Sequence, residues 1–308
     1  GNNNVAVGRS TLAAATTASS NTALGRQAMA ATTTGGENVA VGYQAMDTNT
    51  TGTQNTAVGM HSLGQLLTGD QNVAIGRACM GSNQAGSRNV AAGYAAMAST
   101  TGNDNTAFGN EALNANTSGN NNTAIGEGAL ESNTTADDNV AVGRNALREN
   151  TTGTKNTGIG RQASFQNTTG SQNTSLGYQA GYATTTGSNN TAVGHEALVT
   201  PQTADNNTAV GNQALKFNTS GTANVAVGAA SLDANTSGSY GTAVGMSALG
   251  ANTSGIHNTA IGYTALQANT SGDRNAAFGS GTMGANTTGI QNTAVGQNSL
   301  AINTTGSY

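Results

Sequence analysis

The sequence predicts an all-β protein wound as a parallel β-solenoid, a β-roll of eighteen 17-residue coils, and three observations carry that prediction. A glycine recurs along the whole chain at a nearly fixed interval. The residues before it alternate with the period of a strand, and the residues after it supply turn chemistry.

The recurring glycine runs from Gly8 through Gly25 and Gly42 to Gly296, and every interval is 17 except the one from Gly93 to Gly109, which is 16. The missing residue is expected around Ala98–Ser99, inside the turn segment, where a loss least disturbs strand register. Aligned on the glycine, the unit reads Asn-Thr/Val-Ala-Val/Ile-Gly, two variable residues, Ala-Leu/Met, two variable residues, Asn-Thr-Thr/Ser-Gly and two more variable residues. Seventeen residues are too few for a two-helix repeat, and Gly, Asn and Thr are poor helix formers.

In the first segment Thr/Val and Val/Ile point one way while Ala and Gly point the other. This gives one strand on Asn-Thr-Ala-Val-Gly, and a second short strand is expected on the Ala-Leu/Met segment. Asn-Thr-Thr-Gly, with residues suited to positive φ, makes the return turn. Pro201 stands where most units have the second Asn, and a residue without an N–H belongs outside a hydrogen-bonded ladder.

A unit this small cannot bury its own apolar face, so each strand must pair with its equivalent in the next coil. At about 4.8 Å per step, eighteen coils would make a rod of about 86 Å. The Asn four residues before the glycine occurs in seventeen of eighteen units, Gly241 being the exception. It is expected to form a structural ladder of stacked amides, through Asn21, Asn55, Asn105, Asn122, Asn156, Asn173, Asn190, Asn207, Asn258 and Asn292. Both faces of the first strand are apolar or small. One fills the thin core, and the other must be covered by something, since a continuous Val/Ile stripe is a larger exposed patch than soluble monomers tolerate.

Composition agrees with a repeat scaffold. Charged residues are only 8%, aromatics 4%, and Gly alone numbers 44, so no conventional core of large side chains can form. The net charge of -4 argues against a nucleic-acid partner, which would want a basic face. A single cysteine, Cys79, excludes an intrachain disulfide, and no run of eighteen apolar residues suggests membrane insertion. The chain opens at Gly1 and closes at Tyr308 in mid-repeat, so 1–308 is expected to be one continuous repeat domain, a segment of a longer fibre.

Units such as Asn122-Thr-Ala-Ile-Gly126 with Ala129-Leu130 and Asn133-Thr-Thr resemble the head repeats of trimeric autotransporter adhesins, a form similar to that of phage tail-fibre-like and bacterial surface proteins. The resemblance covers the whole chain. It implies a left-handed roll, a homotrimeric fibre and a role in attachment; the expected setting is a cell surface or virion, and the expected partner of the variable columns is a host surface glycan or matrix. The adhesin repeat is usually shorter than 17, which leaves the turn geometry to be found.

No residue pattern suggests catalysis, a metal or a cofactor. His61, His195 and His257 fall in different columns, Cys79 occupies an Ala slot, and the acidic residues are scattered. The column directly after the glycine holds Arg26, Tyr43, Arg77, Tyr94, Arg144, Arg161, Tyr178 and Tyr263, residue types favoured at recognition surfaces, and is the candidate contact stripe. Asn-Thr-Thr/Ser segments such as Asn116-Thr117-Ser118 and Asn286-Thr287-Thr288 match an N-glycosylation pattern that the turn chemistry already explains. Alongside a structural and adhesive fibre, the Thr-Thr pairs of the turn leave an ice-binding solenoid as the second reading.

Overall fold

The computed structural model describes residues 1–200 and 203–307, so the expectation attached to Pro201 lies outside the described residues. Two compact units, Gly1–Thr154 and Lys155–Tyr308, divide the chain. Unit 1 holds nine three-residue strands, from β1 (Val5–Val7) to β9 (Val140–Val142), and unit 2 nine more, from β10 (Thr157–Ile159) to β18 (Thr293–Val295). Within each unit successive strands pair in parallel with equivalent residues opposite one another, as in Thr22↔Val39 and Thr191↔Thr208. The described residues contain no helix. The fold is a β-solenoid with one strand per coil.

The second strand expected on the Ala-Leu/Met segment is replaced by tight turns. The residue before this Ala and the Leu/Met itself both take positive φ, as in Gln44 (53°) and Met46 (54°), which an extended strand cannot accommodate. Two turns result: the Ala129 N–H donates to the Gly126 carbonyl at 3.2 Å, and the Asn133 N–H to the Leu130 carbonyl at 3.1 Å. A left-handed conformation costs a non-glycine residue about 1–2 kcal/mol. Full burial of the Leu or Met side chain contributes about 1.5–3 kcal/mol, enough to offset that residue's own left-handed conformation. Hydrogen bonds between coils continue through these turns, for example Met46 N–H to the Ser62 carbonyl at 2.9 Å, so the ladder is wider than its strands.

The repeat glycine is required on two counts. At Gly109 φ is +140°, and a Cβ would lie 2.5 Å from the carbonyl oxygen of Gly126 in the next coil. The glycine column therefore sets how closely coils stack.

The interior is built from the strand's central Ala, the second Ala, the Leu/Met and the two Asn columns. Ala40, Ala45, Met46, Asn38 and Asn49 are all fully buried. The Thr/Val and Val/Ile positions that flank the central Ala face outward, so the aliphatic stripe is on the surface: Ile75 is 48% exposed and Phe108 43%. In unit 2 the core changes locally. Ser164 and Gly181 stand in the Leu/Met slot, Ser175 stands in an Ala slot, and the Ser164 hydroxyl donates to Ser175 Oγ at 2.7 Å.

The short coil loses its residue later than expected. Thr100 takes the buried slot of the second Asn, receiving bonds from Gly102 N–H (3.0 Å) and Asn116 Nδ2 (3.1 Å). Thr101 donates its N–H to the Thr117 carbonyl, as the first turn Thr does in other coils. The gap falls between Thr101 and Gly102, at the outer tip of the turn rather than around Ala98–Ser99. There the coil can shorten without breaking a ladder.

Candidate functional site

Two asparagine columns divide the work of holding the coils. Each Asn before the strand uses Oδ1 to accept the N–H of its equivalent in the next coil and Nδ2 to tie its own return turn. Asn38 N–H donates to Asn21 Oδ1 at 3.0 Å, and Asn38 Nδ2 donates to the Gly52 carbonyl at 2.8 Å. Asn55, Asn105, Asn122, Asn173, Asn190 and Asn207 repeat both bonds; Asn292, in the last coil, donates its N–H to Asn275 Oδ1 and its Nδ2 to the Gly306 carbonyl; and Asn156 and Asn258 tie their own return turns at Gly170 and Gly272. All ten are buried. The expected stacking of amide on amide occurs only at some of these rungs, such as Asn122 Nδ2 to Asn105 Oδ1 at 3.2 Å; the recurrent axial bond runs from main chain to side chain.

Where neighbouring coils both carry the second Asn, as from Asn218 to Asn303, that column forms the more regular amide-to-amide ladder. Asn235 Nδ2 donates to Asn218 Oδ1 at 2.8 Å, Asn252 to Asn235 at 2.9 Å and Asn269 to Asn252 at 2.9 Å. Asn116 and Asn286, the two glycosylation-pattern residues, are fully buried in it, so their amides face the interior rather than a modifying enzyme. A third ladder occupies a position the sequence showed only as variable, two residues before the strand's Asn. Its short polar side chains accept the N–H of the preceding coil: Thr53 N–H to Asp70 Oδ1 (2.7 Å), Ser87 N–H to Asn103 Oδ1 (2.8 Å), Ser188 N–H to Asp205 Oδ1 (2.7 Å). The signal was a column of Ser, Thr, Asp and Asn.

The candidate contact stripe becomes a series of stacks along the coil axis. The guanidinium of Arg26 lies 5.5 Å from the centre of the Tyr43 ring, Arg77 5.8 Å from Tyr94, and Arg161 5.8 Å from Tyr178. Arg144 pairs with Glu127 at 3.2 Å, and Tyr263 is 54% exposed. The three histidines each pack on a tyrosine of the preceding coil: His61 edge-on to Tyr43, His195 stacked on Tyr178, His257 stacked on Tyr240. A stacked partner covers part of the ring in these pairs, while Tyr94, Tyr240 and Tyr263 remain at least half exposed.

Cys79 is buried in its Ala slot, where desolvation pushes the thiol up to about 12 and removes nucleophilic character. Burial also raises the carboxyls of the half-buried Asp47 and Asp233 above the usual aspartate range. Among the described residues no group of three or more His, Cys, Asp or Glu could hold a metal ion.

Each unit also presents an outward strand face. In all eighteen coils the residue before the repeat glycine is apolar, from Val7 to Val295, and the residue at the start of the strand is Thr, Val or, once, Ala276. Neither column holds a charged side chain. Neither a known family model nor a curated protein matches the sequence.

Proposed function

We propose that this chain is a structural and adhesive fibre segment whose outward strand faces pack side by side with those of further copies, as a homotrimer at a cell surface or virion. The observation that supports it is the apolar column before the repeat glycine, which stands on the surface in both units. If association removed about 30 Å² of apolar surface per coil, each coil would contribute about 0.75 kcal/mol. Nine coils then reach about 7 kcal/mol, within the entropic cost of association of about 4–15 kcal/mol, so the contact needs most of the chain. The resemblance to trimeric adhesin heads supports three copies, and the Arg/Tyr stripe and neighbouring variable columns are left for a host glycan or matrix. No enzymatic role is proposed.

Sedimentation of the intact chain at micromolar concentration tests this reading: the trimer is expected, and a stable, well-folded monomer refutes it. Because Val142 and Val210 lie in the outward column, Val142→Asp and Val210→Asp should dissociate the assembly with the β circular dichroism unchanged. Tyr94→Asp, in the column after the glycine, should leave it intact.

The second reading, ice binding, gains one observation and loses another. The turn threonines are engaged by the next coil, Thr236 Oγ1 donating to the Thr253 carbonyl at 2.9 Å. On the outward strand face of unit 2, however, seven of nine coils begin with Thr. Thermal hysteresis from a monomeric sample would favour that reading over the fibre.

A further inference from the structure

Unit 1 carries a groove that the repeat pattern would not produce, and two separate departures from the pattern make it. Five residues after the repeat glycine the column of this unit is variable, with Ala13, Ala30 and Ala98 short and Asp47, Asn114, Glu131 and Arg148 long, and two successive coils, with Gly64 and Gly81, have no side chain there at all. Where those side chains are missing, a cavity of about 420 Å³ opens beside Gln44, Asp47, His61 and Gln65. In the next coil the residue lost between Thr101 and Gly102 leaves a second cavity of about 270 Å³, bordered by Ser99, Thr101, Thr117 and Ser118. Ser82 lines both, so together they run across five successive coils. Four inter-coil steps make this about 19 Å.

The lining selects a chemistry. It contains amides, hydroxyls, one carboxylate and one imidazole, and no Lys or Arg. An anionic chain would find no counter-charge, and an apolar one would leave the polar groups without partners, at about 1–3 kcal/mol for each that is buried. Ligand hydroxyls, each donor and acceptor, match Gln and Ser side chains that are also both. A carboxylate accepting from a hydroxyl makes the stronger charge-assisted bond. Thr101 and Thr117 donate their own hydroxyls to the next coil, at 2.8 and 2.9 Å, so they offer acceptor lone pairs and methyl groups to the C–H face of a ring.

We propose that this groove, from Asp47 and His61 through Ser82 to Thr117 and Ser118, binds an uncharged oligosaccharide lying along the stacking direction. The site stands apart from the outward strand face, and its test reads binding rather than assembly, so it can fail or succeed whatever the oligomeric state.

Calorimetric titration of the intact chain with cellohexaose, chitohexaose and β-mannohexaose, with a heparin hexasaccharide as anionic comparison, is the experiment. At least one neutral hexasaccharide should bind, and the heparin fragment should not. Two repairs fill the groove: Gly64→Asn with Gly81→Asn supplies side chains where the coils have none, and insertion of one Thr after Thr101 restores the 17-residue coil. Each should weaken binding at least tenfold while circular dichroism stays unchanged. Should a repair disturb the fold, Gln65→Ala on the exposed lip supplies the same readout. Failure of all three neutral probes, equal binding of the heparin fragment, or affinity that survives the groove-closing or Gln65 variants overturns the assignment.

Discussion

Units 1 and 2 keep the same inward columns and differ in what they carry outward. Unit 1 holds six Lys and Arg against ten Asp and Glu and therefore all of the net charge, whereas unit 2 is balanced at four against four. Unit 1 begins its strands with Val at least as often as Thr, and unit 2 mostly with Thr. Even the core differs: four methionines fill the Leu/Met slot in unit 1, and unit 2 lets Ser164 and Gly181 stand there. The repeat glycine and the strand's Asn, apart from Gly241, are shared throughout. The comparison teaches that ladder hydrogen bonds and close backbone stacking specify the coil, and that apolar volume is the adjustable term.

The strongest way to break that comparison is to attack the glycine column in both units. Gly109→Ala and Gly228→Ala would each place a Cβ 2.5–2.6 Å from the next coil's carbonyl oxygen at φ of +140° and +134°. Strain and overpacking together should cost about 3 kcal/mol or more in either unit. The loss should appear as faster hydrogen exchange in the flanking coils. A cost below about 1 kcal/mol in one unit would show that its coils part freely, and the shared-ladder account would fail there.

A smaller effect, again equal in both units, is expected at the strand's Asn. Asn122→Ala strips the acceptor from Asn139 N–H and the donor from the Ala136 carbonyl, and Asn207→Ala does the same to Asn224 and Gly221. About 2 kcal/mol should be lost at each, since the partners left behind are buried. A change within about 0.5 kcal/mol, measured by denaturant titration, would mean water replaces the amide.

Much of this is legible in the sequence. The 17-residue period and the strand around Ala124 or Ala209 follow from spacing alone, and a recurring Asn among small residues reads as a buried ladder. The turn at Leu130 did not, because leucine carries no preference for positive φ; only the burial of its side chain makes the conformation affordable. Inward and outward faces stayed ambiguous because Ala and Val are both apolar, and the structure turns the small central Ala inward, where the Leu/Met side chains and the Asn columns already take up the interior. The groove was hidden for another reason: it consists of side chains that are absent, Gly64, Gly81 and the residue missing after Thr101. An alignment of columns shows where they are missing but not that the two gaps meet at Ser82.

The smallest effects sharpen the comparison by repairing it, one rung in each unit. In unit 2, Gly241 lacks the side chain that should receive Asn258 N–H and bond the Gly255 carbonyl, so Gly241→Asn completes the first ladder and removes some freedom from the unfolded chain. In unit 1, Thr32 occupies the second Asn slot with its hydroxyl buried and without a hydrogen-bond partner. Asn is close to Thr in volume. In Thr32→Asn the new Oδ1 would lie in line to accept from Asn49 Nδ2, as Asn116 Oδ1 accepts from Asn133 at 3.0 Å. Its Nδ2 would face the Gly35 carbonyl, as that of Asn49 faces Gly52 at 3.1 Å. Each repair should stabilise its coil by about 1 kcal/mol, the net worth of a buried hydrogen bond once an orphaned group is satisfied. Denaturation midpoints of the two single variants check this. If ladder completion is what stabilises a coil, both midpoints rise. If core volume governs instead, Thr32→Asn, which leaves volume almost unchanged, will shift nothing, and apolar packing rather than the ladders specifies the coil.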